Sequence, residues 1–509
     1  MSFTTRRIRG EAPRRTWNWH AMFSVLRFVG PPLTRWYHAW KAQQKAAAER
    51  AFRLSLLKRA LLLLLVAFFV FLLFAGLAKA LISLRLITVP GVLNAAGAEL
   101  QTDENGFTNF LLLGQGDASH DGKDLTDTVM ITSLDPKRTK SVVLLSLPRD
   151  LYFLDAEKMG KGRVNSMYRD YKGYLMARKD MEEPEASLEA MKELAVVVGK
   201  ALDLDIHHVI KVDFDGFTKA VDAIGGIDIE VPEAITDTEY PGPNYTYETF
   251  AIDAGLQHLD GETALKYARS RHTTSDFDRS ARQQQILAAL AEKVRDQGIL
   301  RSPSKVMALY KIVSQNLETT LTLRELVGAG SMGSAIDRNR IISMQLSDRN
   351  GLYGTLSEPG GFLYDPPRDL FEGASVLLPV SIPEFPVTWR QIHALSELLF
   401  RNRALFVSKP RINVLNAGAR SGLGRTLGSE LVRYGLSIDK IDNAGTPKVE
   451  RSFVFAENDK DKHIASFLSV LLKIPMGTTP ADLPPENIGD ITIILGKDYS
   501  YKPLQELVP

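Results

Sequence analysis

The chain has 509 residues, of which 45% are hydrophobic and 24% charged, a composition that excludes general disorder and fits about two to four domains rather than one. With no cysteine, disulfides, thiolate metal sites, iron–sulfur clusters and cysteine nucleophiles are all excluded. The formal net charge of +2 is a near cancellation: residues 1–59 hold 13 Lys and Arg against Glu11 and Glu49, and the remainder holds 49 basic against 58 acidic residues.

The basic segment 1–59 leads into ALLLLLVAFFVFLLFAGLA, Ala60 to Ala78, nineteen residues without a charge. At 1.5 Å per residue this run spans roughly 29 Å, the thickness of a hydrocarbon core, so residues 60–81 are read as one N-terminal transmembrane helix. Lys58, Arg59 and eleven further basic residues precede it, while Lys79 and Arg85 alone follow closely. The positive-inside rule therefore places residues 1–59 in the cytoplasm and the bulk of the chain outside. A cleaved signal peptide, with Ala78-Lys79-Ala80 as a small-x-small site, is the rival reading; the long leader and long apolar run favour an uncleaved anchor. An anionic leaflet accounts for the basic leader more simply than nucleic acid does.

Residues 82–104, with Pro90 and Gly91, read as a linker. Strand patterns follow at 107–113, 128–133 and 141–147, the last two separated by Asp135-Pro136 as in an antiparallel hairpin. Helical periodicity covers 186–201, a strand 208–214, a helix 216–224 and a strand 227–231. From Asp276 the apolar set Ile286, Leu287, Leu290 and Val294 marks a long amphipathic helix ending near Gly298. The stretch from about 169 to 198, which contains MARKDMEEPE, is highly charged and reads as a solvated elaboration. Residues 105–380 thus form one mixed α/β domain and 381–409 a linker. Residues 410–500 form a small α/β module, with strands at 412–415, 452–455 and 491–495 and helices at 425–434 and 464–472. The fold class is an α/β sandwich with a mixed sheet.

The densest polar cluster is ARSRHTTSDFDRSARQQQ, Ala268 to Gln285. Asp276 or Asp278 can cap the following helix, and Arg279 and Arg282, three apart, share one of its faces. Four arginines, Arg269, Arg271, Arg279 and Arg282, near a helix N-terminus suit a multiply charged oxyanion, because guanidinium forks bind phosphate bidentately and free N–H groups add positive potential. A charge-paired surface is the plainer alternative. The segment Gly418 to Gly424 resembles a phosphate loop but lacks the G-x-x-x-x-G-K spacing, so a tight turn is expected there. Asn244-Tyr245-Thr246 is a chance-level glycosylation triplet, and the histidines show no zinc-hydrolase spacing.

Two segments narrow the choice. LLLGQGDASHDGKDLTDTVMITSLDP, Leu111 to Pro136, and VVLLSLPRDLYF, Val142 to Phe153, closely resemble signature blocks of the LytR-CpsA-Psr family of bacterial envelope proteins. The blocks RVNSMY at 163–168, VDFDGFTKAVDAIGGIDIEVP at 212–232 and GLQHLDGETALKYARSRHTTSDFDRSARQQQ at 255–285 continue the pattern in order. The resemblance covers about residues 105–380, and Arg411 to Leu436 looks like the C-terminal domain of LytR-type members.

The resemblance implies a phosphotransferase outside the cytoplasmic membrane that moves a glycopolymer from a polyprenyl-pyrophosphate carrier onto peptidoglycan. It also implies an α/β sandwich with a long hydrophobic groove for the prenyl tail. On this reading Arg149, Arg269, Arg271, Arg279 and Asp127 are catalytic, and Arg282 and Asp276 contact substrate, although Arg282 can equally support its helix. Asp127 matches the family acid that binds Mg²⁺. Many members carry a second metal-binding Asp where this chain has Gly116; Asp117, then Asp121, and remotely His120 are the substitutes. Alternatives are a prenyl-pyrophosphate pyrophosphatase and a non-enzymatic lipid- or wall-binding scaffold. Transcriptional attenuation conflicts with the expected topology, so no nucleic-acid partner is expected.

Overall fold

The structure, a computed structural model, describes residues 41, 99–116, 124–242, 246–270, 276–337, 339–348, 360–381 and 387–508. The expected anchor at 60–81, the candidates Asp117, His120, Asp121 and Arg271, and the Asp276 side chain lie outside these residues. Among the described residues no helix is long and apolar enough to cross a membrane.

Residues 89–509 form one compact unit built on a six-stranded sheet. Strands β1 (Thr108–Gln115), β2 (Thr128–Asp135) and β3 (Ser141–Leu147) run antiparallel in succession. The short hairpin strands β4 (Tyr152–Phe153) and β5 (Gly162–Arg163) lead into helices α1 (Val164–Lys179) and α2 (Glu183–Leu202). Strand β6 (His208–Asp213) returns parallel to β1. Helix α3 (Phe214–Ala223), strands β7 (Ile227–Val231), β8 (Ile235–Pro241), β9 (Tyr247–Ile252) and β10 (Gly255–Leu259), and helix α4 (Gly261–Arg269) make a lobe with its own apolar cluster. Helix α5 (Asp276–Asp296) carries Ile286 into that cluster. Helix α6 (Pro303–Val313), β11 (Leu317–Thr319), α7 (Leu323–Ala335) and β12 (Ile341–Gln345) complete the sheet in the order β11-β6-β1-β2-β3-β12.

Strict alternation sorts the sheet's side chains. Leu111, Leu113, Val129, Ile131, Val143 and Leu145 face α1 and α2 in the main core. On the opposite face Leu112 pairs with Met130, Thr132 with Leu144 and Leu134 with Val142. The charged stretch expected to be solvated is instead packed: Tyr171, Leu175, Ala186, Met191 and Leu194 are buried in that core. Its buried charges, Lys172 and Glu193, pair with Asp124 and Lys158 from outside the stretch, which is why composition misled.

The hairpin β13 (Leu363–Tyr364) and β14 (Leu378–Pro379) precedes helix α8 (Arg390–Ser396), one π-turn and helix α9 (Ala404–Ser408). The C-terminal module has strands β15 (Ile412–Asn416), β16 (Ile438–Asn443), β17 (Phe453–Ala456) and β18 (Ile491–Leu495) in the order β16-β15-β18-β17. Helices α10 (Leu423–Arg433) and α11 (Lys462–Leu472) pack on it. One apolar cluster runs from Leu111 and Leu145 of the large sheet through Leu395 and Leu399 to Val414 and Ile493 of the small one. Arg403, 1% exposed, ties the connecting helices to the large sheet: its Nη2 donates to Ser133 Oγ at 2.8 Å and its guanidinium lies 3.8 Å from the Phe107 ring centroid.

Candidate functional site

The site lies where β2 begins and β3 ends. Thr126 is wholly buried, and its N–H (3.0 Å) and Oγ1 (3.3 Å) both donate to the carbonyl of Asn165 in the first turn of α1. That fixes the next residue, Asp127. Asn165 Nδ2 donates to Asp127 Oδ1 at 3.1 Å, and Arg149 Nη1 stands 3.6 Å from Oδ2. Arg149 follows Pro148 at the end of β3. Its Nε lies 3.7 Å from Asp150 Oδ2 and is buried without a hydrogen-bond partner. Arg163 Nη1 donates to Asp150 Oδ1 at 3.2 Å. The RVNSMY block is therefore a scaffold: Arg163 occupies Asp150 and Asn165 orients Asp127. Tyr168 is fully buried, with its hydroxyl accepting from Lys211 at 2.6 Å.

A second support comes from α1. Lys172 Nζ donates to Asp124 Oδ1 at 3.0 Å and to Glu183 Oε1 at 3.2 Å. Burial pulls the Lys172 ammonium down, but its hydrogen bonds and charge attraction to Asp124, Tyr168 and Glu183 together outweigh it and the group titrates above the ordinary lysine value. Lys211 goes the other way, because its burial outweighs the Glu318 carboxylate 2.7 Å away.

Helix α5 supplies the facing wall. Arg279, 8% exposed, Ser280 and Gln283 line a cleft of about 140 Å³ together with Asp127, Arg149 and Asp150. The three consecutive glutamines separate by helical rotation. Gln283 faces the cleft, Gln284 Nε2 bonds Ser146 Oγ and the Met344 carbonyl at 2.8 Å each, and Gln285 Oε1 accepts from Tyr267 OH at 2.8 Å. Gln284 thus nails α5 to β3 and β12.

Of the residues singled out in the sequence, the fold brings Asp127, Arg149 and Arg279 together. Arg269 sits at the end of α4 in a neighbouring cavity, its guanidinium 4.3 Å from the Phe214 ring and its Nη1 bonded to Tyr240 OH at 3.1 Å. Arg282 is placed as a support: Nε donates to the Tyr267 carbonyl at 3.0 Å and Nη2 to that of Ser270, closing the carbonyl end of α4. Asp348 and Asp365, which no motif indicated, also line the cleft, and neither makes a hydrogen bond or ion pair among the described residues.

Behind the polar cleft the cavities turn apolar. Thr128 and Gln283 also line a cavity of about 200 Å³ walled by Met130, Phe214, Phe217, Leu265 and Ile286. Leu112 and Leu287 are shared between that cavity and a groove of about 610 Å³ under α5, lined by Leu134, Val142, Leu144, Leu300 and Ile336. The polar cleft thus adjoins two largely apolar spaces, although Asp228, Glu230, Glu292 and Arg295 also line the far groove.

Among the described residues no three metal-ligating side chains cluster. Asp127 nonetheless fits Mg²⁺. It is 41% exposed, lies in the cleft beside guanidiniums suited to phosphate, and Mg²⁺ is ordinarily held by one or two carboxylates plus phosphate oxygens.

Residues 92–358 match the profile of the LytR_cpsA_psr family, and residues 409–499 match a profile described as LytR cell envelope-related transcriptional attenuator. The cell wall biosynthesis protein LcpA of Corynebacterium glutamicum is 26% identical over 400 residues, 72% of this chain and 70% of that protein. The polyisoprenyl-teichoic acid–peptidoglycan teichoic acid transferase TagV of Bacillus subtilis is 29% identical over 247 residues, 47% of this chain. The match spans 56% of TagV's own length. The crystal structure of B. subtilis TagV aligns at 23% identity over 59% of this chain and 99% of that one, with a TM-score of 0.41.

Proposed function

The chain belongs to the LytR_cpsA_psr family, and from that premise we propose that it is a phosphotransferase of cell-wall biogenesis. It would act outside the cytoplasmic membrane, anchored by residues 60–81 with its N-terminus inside. Its donor is a glycan on a polyprenyl-pyrophosphate carrier and its acceptor a sugar hydroxyl of peptidoglycan. One observation carries this reading: a cleft holding Arg149, Arg279 and Asp127 adjoins successive apolar cavities, which suits a ligand with a pyrophosphate head and a long hydrocarbon tail.

In the reaction, the acceptor oxygen attacks the phosphorus next to the glycan. The bond from that phosphorus to the bridging oxygen breaks, and polyprenyl phosphate leaves with the electron pair. The hydroxyl proton passes to a cleft carboxylate, for which Asp127 is the candidate. Arg149, with its Nε already desolvated and without a hydrogen bond, and Arg279 stabilise the charge gathering on the phosphoryl oxygens. Arg269, in the cavity adjoining the cleft, and Arg271 would neutralise the carrier phosphate. Mg²⁺ held by Asp127, with Asp117 or Asp121 as a further ligand, would supply Lewis-acid neutralisation of the pyrophosphate.

The test is incubation of the full chain in detergent with a labelled polyprenyl-pyrophosphate oligosaccharide, Mg²⁺ and peptidoglycan fragments. Label on the wall fragment is expected, with Arg149→Ala reducing turnover by about 10²–10³-fold. Release of the label into water alone would instead identify a pyrophosphatase.

A further inference from the structure

The C-terminal module packs against the segment that supplies one wall of the cleft. Arg433, the last residue of α10, donates from Nη2 to the Gly361 carbonyl at 2.8 Å and to Gln391 Oε1 at 2.5 Å. Its guanidinium lies 4.7 Å from the Phe362 ring centroid, and the buried Tyr434 meets the same ring edge-on at 5.1 Å. Gly435, at φ +88°, lets the helix end press on β12: a Cβ there would stand 2.4 Å from Met344 Cε. Gly361 is held as closely, since a Cβ would fall 2.0 Å from the Ser347 carbonyl oxygen.

What Arg433 grips leads directly to the site. Leu363 N–H bonds the Ser347 carbonyl at 2.9 Å, and Val380 N–H bonds the Phe362 carbonyl at 2.8 Å. Hairpin β13–β14 continues to Leu377, whose N–H bonds the Asp150 carbonyl at 2.8 Å. Asp348, Asp365 and Leu377 on this segment all line the cleft. The other cleft acids are engaged, Asp127 by Asn165 and Arg149, Asp150 by Arg163. Asp348 and Asp365 have no such partner among the described residues, so their wall repels a pyrophosphate and accepts hydrogen bonds from neutral hydroxyls.

We propose that the C-terminal module is a positioning element of the transfer reaction and that Arg433 is its positioning residue, holding the described wall residues Asp348 and Asp365, through Gly361 and Phe362, on the side that receives the hydroxyl acceptor. This rests on the transfer reading above. The donor is gripped by Arg149, Arg279 and the apolar cavities, whereas Arg433 contacts Gly361, Gln391 and Phe362. Loosening the wall therefore weakens use of the acceptor without weakening capture of the donor.

The experiment compares the full-length wild type, Arg433→Met, Arg433→Lys and Tyr434→Phe in detergent. It measures affinity for a polyprenyl-pyrophosphate disaccharide without acceptor, acceptor KM, kcat and thermal midpoint. Arg433→Met should raise acceptor KM about tenfold, the worth of a lost charge-assisted hydrogen bond, with donor affinity within twofold of wild type. Arg433→Lys, which retains a donor for the Gly361 carbonyl, should lie between. Tyr434→Phe removes a buried hydroxyl that has no partner and should leave both constants unchanged. An unchanged acceptor KM in Arg433→Met, or donor and acceptor affinity falling together, overturns the inference while wild-type transfer still stands. Hydrolysis without transfer by the wild type overturns the transfer reading itself and the acceptor side with it.

Discussion

Lys172 offers the sharpest test of how the acidic loop before β2 is held. Its side chain is 9% exposed and its ammonium bridges Asp124, 24% exposed, and Glu183, 68% exposed. Lys172→Met keeps the stem and removes the charge. Breaking a fully buried pair costs about 3–5 kcal/mol and an exposed one about 0–1. The Asp124 arm falls between, near 2 kcal/mol, and the Glu183 arm contributes under about 1, for a loss of roughly 2–3 kcal/mol. Most of that is the unpaired Asp124 carboxylate, so Asp124→Asn in the Lys172→Met background should restore about 1 kcal/mol or more. Urea unfolding of the two single variants and the double variant gives the coupling directly. Additivity within about 0.5 kcal/mol would refute the pairing. The pH dependence has a definite sign. Folding raises the Lys172 pKa, so its contribution is complete below the ordinary lysine value near 10.4 and fades as pH rises through the folded value. The wild-type curve should therefore approach that of Lys172→Met in strong alkali, and only there.

Further outcomes follow from other parts of the molecule. Leu287, half-buried and shared by the two apolar cavities, should tolerate Lys in the fold. The ammonium would oppose a prenyl tail, so donor affinity should fall by about two orders of magnitude while binding of a short water-soluble pyrophosphate persists. Asp135 accepts from the N–H groups of Arg138 at 2.9 Å and Thr139 at 2.8 Å in the β2–β3 turn. Burial raises its pKa, but the Thr139 hydroxyl at 2.6 Å, these two N–H groups and the Arg403 charge together outweigh it and leave the carboxyl below its ordinary value. Its stabilisation is therefore present above the unfolded carboxyl pKa near 3.9 and lost as pH falls through the folded value. Asp135→Asn should flatten the acid limb of the stability curve, and an unchanged limb in acid unfolding would count against this account.

The strand pattern was legible because continuous apolar runs such as SVVLLSL at 141–147 mark a strand covered on both faces and the alternation at 227–231 a strand with one buried face. Asp127, Arg149 and Arg279 were legible through ordered motifs. The partition among the arginines was not. Arg279 and Arg282 lie three apart on one face of α5, yet α4 ends at Arg269 with backbone carbonyls needing donors, and Arg282 supplies them. Asp348 and Asp365 belong to no periodic pattern and enter the cleft only through long-range contacts, Leu363 to Ser347 and Leu377 to Asp150.

Charge content is a poor guide to solvation when acids and bases are matched in space. Residues 169–198 looked like a surface elaboration, yet Lys172 and Glu193 are buried within them, each with an oppositely charged partner, Asp124 and Lys158. Lys211, in the sheet strand beneath, is 3% exposed and pairs with Glu318 across β6 and β11. An isolated charge at any of these places would cost several kcal/mol, so each pair fixes a register that an apolar contact would leave adjustable. The packed helices hold Asp124 through Lys172 and Asp127 through Asn165, seven residues apart and two turns along α1. Through Lys172 the segment read as a solvated elaboration therefore holds Asp124, three residues before the candidate catalytic acid. Shortening it between Asp180 and Glu182 should disturb the reaction less than altering the paired face of α1.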